Sequence, residues 1–403
     1  MVRKKNRKTP ARIWCMMVAV METFEFIAPC HFGLERVLKN EIYDLGYDTT
    51  QVEDGRVTFA GDTEALVRAN LCLRTAERVL LKAGSFTATS FEELFQGTKQ
   101  IPWERFLPRD AKFWVTKASS VKSKLYSPSD IQSVMKKAMV ERMSSHYGIA
   151  QFPETGVSMP LRVFLKNDMV TCALDTTGAS LHKRGYRKME VQAPIAENLA
   201  AALLLLTPWK PGRILVDPFC GSGTFLIEAA MMAAGIAPGL SRTFTAETWE
   251  HLAPKTLWKE TRSELRADIH VNNDSDLQGY DIDASVIDAA RHCAREAGVD
   301  DMIHFQQRDV KDLAHRKPYG FLVTNPPYGE RIGEDNNLYA LYKMLGERFA
   351  LLDNWSLYVI TSFEDAEKAI GKKAAKNRKL YNGMIKTYFY QYPGKKPPGK
   401  AHT

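Results

Sequence analysis

At 403 residues the chain is longer than one ordinary hydrophobic core, so its length predicts two or three domains. Its composition, 45% hydrophobic and 25% charged residues, is normal for a soluble globular protein. The six cysteines are scattered without a CxxC pair, which predicts neither a disulfide framework nor a zinc site. Because no apolar run approaches membrane-spanning length either, we expect a cytoplasmic protein that binds no membrane and no metal.

The net charge of +8 is unevenly distributed along the chain. Residues 1–20 carry six basic and no acidic residues, and residues 371–403 carry nine and none. Residues 111–190 have an excess of seven basic residues, whereas residues 191–370 have an excess of nine acidic ones. A single Lys-rich run often serves only solubility. Basic flanks around an acidic centre instead predict a polyanionic partner, such as a nucleic acid.

The N-terminal segment, residues 1–20, is basic and then apolar, but Glu22 follows and no small-residue cleavage site is apparent. We therefore expect an upstream extension or a disordered basic arm rather than an export signal. Residues 21–74 show a strand, a helix, a hairpin that turns at Asp54-Gly55, and a second helix. This pattern predicts a small ferredoxin-like α+β domain without chemistry of its own.

Residues 75–180 predict a second small α/β module in which basic and aromatic residues alternate. We expect a strand at 112–115, a Lys-rich loop at 117–126, a helix at 129–147, and two strands paired across residues 166–168. Such a surface suits an RNA backbone and stacked bases. The residues expected to contact RNA here and in the next segment are Lys117, Lys122, Lys124, Lys136, Lys137, Lys183, Arg184 and Arg187.

The pattern over residues 65–180 resembles a THUMP domain, an RNA-binding module of tRNA- and rRNA-modifying enzymes. The basic segment 181–187 follows it. That segment is either a linker that touches RNA or an element that covers the ligand of the next domain, and the residues leave both readings open. A strongly apolar helix is then predicted over residues 194–206.

The C-terminal half begins with an apolar strand that ends at Asp217. The turn that follows, residues 218–224 (Pro-Phe-Cys-Gly-Ser-Gly-Thr), is glycine-rich and opens a helix, so its backbone can approach a ligand closely. It has neither the Gly-Lys-Ser/Thr of a Walker loop nor the G-x-G-x-x-G of a dinucleotide site. An acid before the glycines would repel a phosphate but suits a ligand with an ammonium group, such as S-adenosylmethionine.

Two later strands also end in acidic residues. Asp281 ends the second strand, the position that binds a ribose diol in such sheets, and Asp283 is the second choice because it can cap the following helix. Asp309 ends the third strand and could accept a hydrogen bond from an adenine amine. One such acid is most often a cap, but three in succession beside a glycine loop favour a ligand site.

The fourth strand leads into Asn325-Pro326-Pro327-Tyr328. Two prolines stop the strand ladder and restrict the backbone around them. An Asn carbonyl and a neighbouring backbone carbonyl can together accept both hydrogens of a planar NH2 group, and a Tyr can stack on the ring that carries it. The tetrapeptide therefore predicts methyl transfer to an exocyclic amine, although such tripeptides as Asn-Pro-Pro also occur as plain turns.

Residues 190–392 resemble class I S-adenosylmethionine-dependent methyltransferases. The motifs DPFCGSGT, GYDID, RDV and NPPYGERI, preceded by LHKRGYR, are similar to those of the THUMP-containing 23S rRNA guanine-N2 methyltransferases and their tRNA relatives. The resemblance implies a Rossmann-like α/β domain over 181–392, with a seven-stranded, mostly parallel sheet that ends in an antiparallel hairpin. A basic tail, 393–403, would follow.

The same resemblance implies roles for individual residues. S-adenosylmethionine would lie against Asp217, Pro218, Phe219, Gly221, Gly223, Thr224, Asp281, Ile282, Asp309 and Asn325. The target base would be bound by Asn325, Pro326, Pro327 and Tyr328. A long polar insert, residues 237–276, contains Trp249 and Trp258 and is expected to fold as a helical excursion near the site.

The activity implied is methyl transfer from S-adenosylmethionine to the exocyclic N2 of a guanosine in 23S rRNA, or alternatively in tRNA. A DNA adenine-N6 or cytosine-N4 methyltransferase, a protein glutamine methyltransferase and an RNA-binding protein with a non-catalytic methyltransferase fold are competing interpretations. A protein substrate would give no reason for the basic flanks of this chain, which argues against a glutamine methyltransferase. The intact acids at three strand ends argue against a non-catalytic fold.

Overall fold

The computed structural model describes residues 22–187, 195–271, 274–328 and 335–397. The N-terminal extension at 1–20, the first residue of the helix expected at 194–206, the Gly-Glu-Arg-Ile that follows Tyr328, and the end of the basic tail lie outside these residues. In the described ranges the strands form two seven-stranded sheets, one in each half of the chain. No helix there is both long and apolar enough to cross a membrane.

The first sheet is mainly antiparallel and has helices packed on one face. Its strands are Phe24–Pro29 (β1), Thr49–Glu53 (β2), Arg56–Gly61 (β3), Leu80–Thr87 (β4), Lys112–Val121 (β5), Ser158–Lys166 (β6) and Met169–Asp175 (β7). The helices of this half of the chain are Glu35–Asp44 (α1), Thr63–Cys72 (α2), Phe91–Gln100 (α3) and Pro128–Tyr147 (α4). The strand order is β2-β3-β1-β4-β7-β6-β5. Because β1 pairs with β4, the sheet continues across the domain boundary expected near residue 74.

Strand β5 is longer than its sequence pattern predicted. It pairs in parallel with β6 as far as Val121, opposite Lys166, so half of the expected loop at 117–126 is strand. Phe113, Val115 and Ala118 are buried along it, and the three-residue step to Ala118 follows from a register shift between Val115 and Lys117. Lys117 consequently lies on the sheet, whereas Lys122 and Lys124 lie in the loop that follows it.

The second sheet confirms the Rossmann-like fold predicted for the C-terminal half. Its strands are Leu215–Asp217 (β8), Leu277–Asp281 (β9), Ile303–Gln307 (β10), Phe321–Thr324 (β11), Ser356–Thr361 (β12), Lys376–Asn382 (β13) and Ile385–Tyr392 (β14), in the order β10-β9-β8-β11-β12-β14-β13. The helices of this half of the chain are Glu197–Leu206 (α5), Thr224–Ala233 (α6), Lys255–Ala267 (α7), Ala284–Ala297 (α8), Asp335–Ala350 (α9) and Ala366–Ile370 (α10). The pairs from β10 to β12 are parallel, and β14 is antiparallel to both of its neighbours.

The insert at 237–276 packs against the first sheet and its helices. Trp249 and Trp258 are buried in the same apolar cluster as the core of the N-terminal half. The Trp249 indole donates to the Ser158 carbonyl at 2.9 Å, and the Arg68 guanidinium on α2 lies 2.6 Å from Glu264 on α7. The insert is therefore a part of the C-terminal half that packs against the N-terminal half and fixes its position.

Candidate methyltransferase site

The predicted site residues meet at one edge of the second sheet. Asp217 and Asp281 are the last residues of β8 and β9, and Asn325 directly follows β11. These three strands are neighbours in the order β9-β8-β11 and run in the same direction. Their carboxyl ends consequently lie side by side, which is where open α/β sheets bind ligands. The sequence predicted this edge because each strand stops at its polar residue.

Asp217 is almost fully buried, with 2% of its surface exposed. Its Oδ1 accepts hydrogen bonds from the Thr324 hydroxyl at 2.6 Å and from the Phe219 amide at 3.1 Å. Burial raises the pKa of Asp217 to about 7, the nearby Asp281 charge adds to the rise, and the two hydrogen bonds oppose it. Asp217 thus ties the glycine loop to the strand that carries Asn325. Thr324, a hydroxyl inside an apolar strand, was missed by sequence reasoning.

The glycine loop needs its two glycines for different reasons. Gly221 and Gly223 both have positive φ angles, 51° and 79°. A Cβ on Gly223 would lie 2.7 Å from Cζ of Phe305, so packing excludes a side chain there. A Cβ on Gly221 would meet no other atom within 4 Å, so this part of the loop borders open space. The loop can therefore take a ligand against Gly221.

The remaining loop residues build the frame around that space. Pro218 is buried, and half-buried Phe219 packs against the apolar cluster beneath β8 and β11. Thr224 opens α6, and its buried hydroxyl accepts from Nη2 of Arg187 at 2.7 Å. Arg187 also pairs with Glu197 on α5 at 3.4 Å. The Thr224 side chain therefore positions the loop through Arg187.

Asp281 connects the end of β9 to the glycine loop. Its Oδ2 accepts from the Gly221 amide at 3.1 Å, and its Oδ1 accepts from the Asp283 amide at 3.1 Å. Burial raises its pKa, although the carboxylate is only partly enclosed. Ile282 beside it is 67% exposed. Asp283 caps α8 by accepting from the Ser285 amide at 2.8 Å, the alternative expected for it.

Asp309 follows β10 and caps a single turn of 3-10 helix. Its Oδ1 accepts from the Lys311 amide at 2.9 Å, and Lys311 Nζ lies 3.4 Å from the carboxylate. The backbone hydrogen bond and the Lys311 charge lower the pKa of Asp309, so it is ionised near neutral pH. The structure shows a capping role for Asp309. Its contact with adenine remains a prediction.

The Asn-Pro-Pro-Tyr segment is folded back on itself. The Tyr328 hydroxyl donates to Oδ1 of Asn325, and both side chains are half-buried. Pro326 is buried and Pro327 is exposed. An amide oxygen has two lone pairs, so Asn325 Oδ1 can accept a second hydrogen in addition to that of Tyr328. The segment thus presents an acceptor at the carboxyl end of β11.

A chain of hydrogen bonds through the buried hydroxyls of Thr361 and Tyr342, hereafter the hydroxyl relay, holds the Asn-Pro-Pro-Tyr segment. The Phe363 amide donates to Oγ1 of Thr361 at 3.0 Å, Thr361 Oγ1 lies 2.6 Å from the Tyr342 hydroxyl, and that hydroxyl donates to the Pro327 carbonyl at 3.2 Å. The carbonyl can only accept, so the Thr361 proton points to Tyr342. Burial raises the pKa of Tyr342, which keeps it a donor. No local sequence pattern indicates this relay.

Two arginines of the segment 181–187 turn inward. The prediction that Arg184 contacts RNA is wrong, because the side chain is 2% exposed. Its Nε lies 3.2 Å from Glu228, and its Nη2 donates to the Arg74 carbonyl at 2.6 Å. Arg187 is bound to Thr224 and Glu197, so this segment braces the glycine loop, a role that neither sequence interpretation included.

One of the predicted lysines is engaged by other groups of the protein, and five are exposed. Lys136 Nζ donates to the Phe113 carbonyl at 2.5 Å and pairs with Glu154, so it is engaged within the protein. The exposed side chains are Lys117, Lys122, Lys124, Lys137 and Lys183. These five remain available to a nucleic acid.

The donor set at the sheet edge fits S-adenosylmethionine. The space beside Gly221 has no basic side chain among the loop residues that border it, which suits a ligand without phosphate. The carboxylate of Asp281 is partly exposed and can accept from a diol, and Ile282 offers an apolar surface next to it. The residues present therefore fit a ligand that joins a nucleoside to a positively charged amino-acid portion.

Three regions of the chain match known protein families. Residues 25–80 match the RlmL ferredoxin-like domain, residues 88–175 match the THUMP domain, and residues 184–391 match the RMKL-like methyltransferase domain. Both N-terminal predictions of fold are thereby confirmed, and so is the methyltransferase fold.

Individual relatives cover most of the chain. "Putative RNA methyltransferase YpsC" of Bacillus subtilis is 45% identical over 95% of this chain and 99% of its own length. "Ribosomal RNA large subunit methyltransferase K/L" of Syntrophotalea carbinolica is 36% identical over 90% of this chain, which spans about half (52%) of that protein. The crystal structure of SMU.472, described as "a putative methyltransferase complexed with SAH", superposes with a TM-score of 0.88 at 42% identity, over 93% of this chain and 99% of that one.

Proposed function

Because the chain belongs to the RMKL-like family of S-adenosylmethionine-dependent RNA methyltransferases, we propose that it methylates the exocyclic N2 of a guanosine in large-subunit ribosomal RNA. The observation that carries the proposal is the arrangement of β8, β9 and β11. It brings Asp217, Asp281 and Asn325 to one edge of the sheet, where Gly221, whose amide donates to Asp281, borders open space.

The donor side of the site is held by the glycine loop and the acids around it. Asp281 binds the ribose, Asp309 the adenine amine, and the backbone at Gly221 the methionine portion. S-adenosylmethionine supplies an electrophilic methyl group on a sulfonium, so the protein needs chiefly to orient the groups and to exclude water. Asp217 is buried beneath the loop and positions it through Thr324 and Phe219.

The acceptor side is the Asn-Pro-Pro-Tyr segment. The Asn325 side-chain oxygen and the Pro326 carbonyl accept the two hydrogens of the guanine N2 amine. These hydrogen bonds draw the nitrogen lone pair out of conjugation with the ring, which makes a weak nucleophile more reactive. No strong base is needed, because the amine loses a proton after it has gained the methyl group. Tyr328 stacks on the base, which must leave any duplex to enter the site.

The RNA is the ligand of the N-terminal half in this proposal. Support comes from the match to the THUMP domain and from the exposed Lys117, Lys122, Lys124, Lys137 and Lys183. Ribosomal rather than transfer RNA is proposed because a relative that aligns with 90% of this chain is named for the large ribosomal subunit. The insert fixes the N-terminal half to the catalytic half, so RNA bound by one can be presented to the other at a constant distance.

The proposal is tested by offering different polymers to the purified protein with labelled S-adenosylmethionine. Unmodified 23S rRNA should accept label, whereas tRNA, duplex DNA and a release-factor protein should not. Asn325→Ala should reduce labelling of the rRNA at least a hundredfold at saturating S-adenosylmethionine, an order expected for loss of a precise orienting contact. Full activity of this variant, or preferential labelling of another polymer, would refute the proposal.

A further inference from the structure

The hairpin of β13 and β14 reaches past the catalytic edge of the second sheet. Thr361, the last residue of β12, is the register partner of Tyr388 in β14. Thr387, Lys386 and Ile385 continue beyond that point before the hairpin turns. At a strand rise of about 3.3 Å per residue, the tip extends on the order of 10 Å past the sheet edge.

One face of this projection carries two lysines and two tyrosines. The register pairs Lys379 with Tyr388 and Tyr381 with Lys386, so all four side chains share a face, hereafter the hairpin patch. The alternate residues, Leu380 and Phe389, are fully buried on the opposite face of the sheet.

Within the hairpin patch each ammonium group lies over an aromatic ring. Lys379 Nζ is 5.7 Å from the centre of the Tyr381 ring, and Lys386 Nζ is 5.1 Å from that of Tyr388. Tyr381 is 40% exposed, and Met384 at the hairpin tip is 97% exposed. Large apolar groups next to lysines on an exposed face are the combination that binds single-stranded nucleic acid, since bases stack on the rings and phosphates meet the cations.

The hairpin patch is structurally connected to the target-base segment. Thr361 is opposite Tyr388 on one side and contacts the Tyr342 hydroxyl on the other, and this hydroxyl donates to the Pro327 carbonyl. A strand of RNA whose base enters the Asn-Pro-Pro-Tyr segment therefore has its neighbouring nucleotides within reach of the patch.

The positive charge of the hairpin favours an anionic partner. Residues 376–392 contain four basic residues, Lys376, Arg378, Lys379 and Lys386, and no acidic one. The Glu364 carboxylate, in the loop after β12, interacts electrostatically with Lys386. It offsets only one of the two lysine charges, so the patch keeps a net positive charge. Lysines on an edge strand also prevent sheets from pairing with one another, but that purpose does not call for exposed tyrosines beside them.

We propose that the hairpin patch binds the single-stranded RNA that flanks the methylated guanosine, with Tyr381 stacking on a base and Lys379 and Lys386 contacting phosphates. This inference rests on the proposed function, because it assigns a second contact to the same RNA. It also gives the substrate two contact surfaces, the exposed N-terminal lysines and the hairpin patch.

The test compares two pairs of lysine substitutions in the same region. Lys379→Ala/Lys386→Ala removes the patch charges, and Lys372→Ala/Lys376→Ala removes two exposed lysines at the opposite end of the hairpin, where Lys376 pairs with Gln391. With an unmodified 23S rRNA transcript, the patch variant should raise KM about tenfold and flatten the slope of log affinity against log salt by about 1.4, the value for two phosphates on a single strand. The control pair should change KM less than about twofold, the range of a general charge effect.

The stacking contact is tested separately. Tyr381→Ala should weaken RNA binding about tenfold, and Tyr381→Phe, which keeps the ring, should bind as the unsubstituted protein does. Affinity for S-adenosylmethionine should be the same in every variant. If the unsubstituted protein methylates the transcript while the patch variant behaves like the control pair, the inference fails alone. If the unsubstituted protein neither binds nor methylates RNA, the proposed function fails and the inference fails with it.

Discussion

Asp217 shows how much a single buried carboxylate shapes the site. The folded protein holds a proton on it up to about pH 7, whereas the unfolded chain releases that proton near pH 4. In this window the folded state binds more protons, so the free energy of unfolding should fall as pH rises. The loss should amount to roughly 2–3 kcal/mol between about pH 5 and pH 8.

Asp217→Asn isolates this contribution. The amide keeps an oxygen that can accept from Thr324 and Phe219 but cannot ionise. Urea unfolding at several pH values, without S-adenosylmethionine, should show the decline in the unsubstituted protein and a flatter profile in the variant. Parallel profiles would mean that Asp217 ionises as easily in the folded state as in the unfolded one.

At the scale of residues, the sequence predicted the side chains that end strands and missed those that connect them. Asp217, Asp281 and Asn325 were found because a strand end is visible in the hydrophobic pattern. Thr324 and Tyr342 were not, because their partners lie 107 and 19 residues away in the chain. Arg184 was assigned to RNA because its charge is visible and its burial against Glu228 is not.

At the scale of elements, substitutions at the two glycines of the loop distinguish the effect of backbone strain and packing from that of ligand contact. Gly223→Ala places a methyl group 2.7 Å from the Phe305 ring at a positive φ, so it should destabilise the protein by roughly 2–4 kcal/mol. Gly221→Ala meets only the strain, about 1 kcal/mol, but its methyl group projects into the space proposed for S-adenosylmethionine.

Two measurements distinguish these variants. Thermal unfolding without ligand should give Gly223→Ala a lower melting temperature than Gly221→Ala. Calorimetric titration should show that Gly221→Ala, although it is less destabilised, loses more affinity for S-adenosylmethionine relative to its loss of stability. Unchanged affinity in Gly221→Ala would place the ligand elsewhere.

Element boundaries were predicted where burial alternates regularly and were missed where pairing extends a strand. The hairpin turn at Asp54-Gly55 was located correctly, since Glu53 and Arg56 flank it as register partners. Strand β5 was cut short at Val115, because the lysine that follows resembles a loop residue until its pairing with β6 is known.

At the scale of the whole molecule, the insert joins the two halves. Trp249→Ala removes a fully buried side chain and its hydrogen bond to Ser158, a loss of roughly 3–5 kcal/mol at the contact between halves. Calorimetry should then show two unfolding transitions. S-adenosylmethionine should raise the midpoint temperature of only the transition that belongs to the catalytic half. Trp114→Ala, at a 39% exposed position on β5, is the matched control and should leave one transition. A single transition in Trp249→Ala would show that other contacts suffice.

The identity of the methylated nucleoside tests the central claim most directly. Unmodified 23S rRNA would be treated with the protein and labelled S-adenosylmethionine, digested to nucleosides and analysed by mass spectrometry. The proposed function predicts label in N2-methylguanosine, at a position that is unmodified in RNA from a strain lacking the protein. Label in N6-methyladenosine or N4-methylcytidine, or none in the RNA, would contradict the claim.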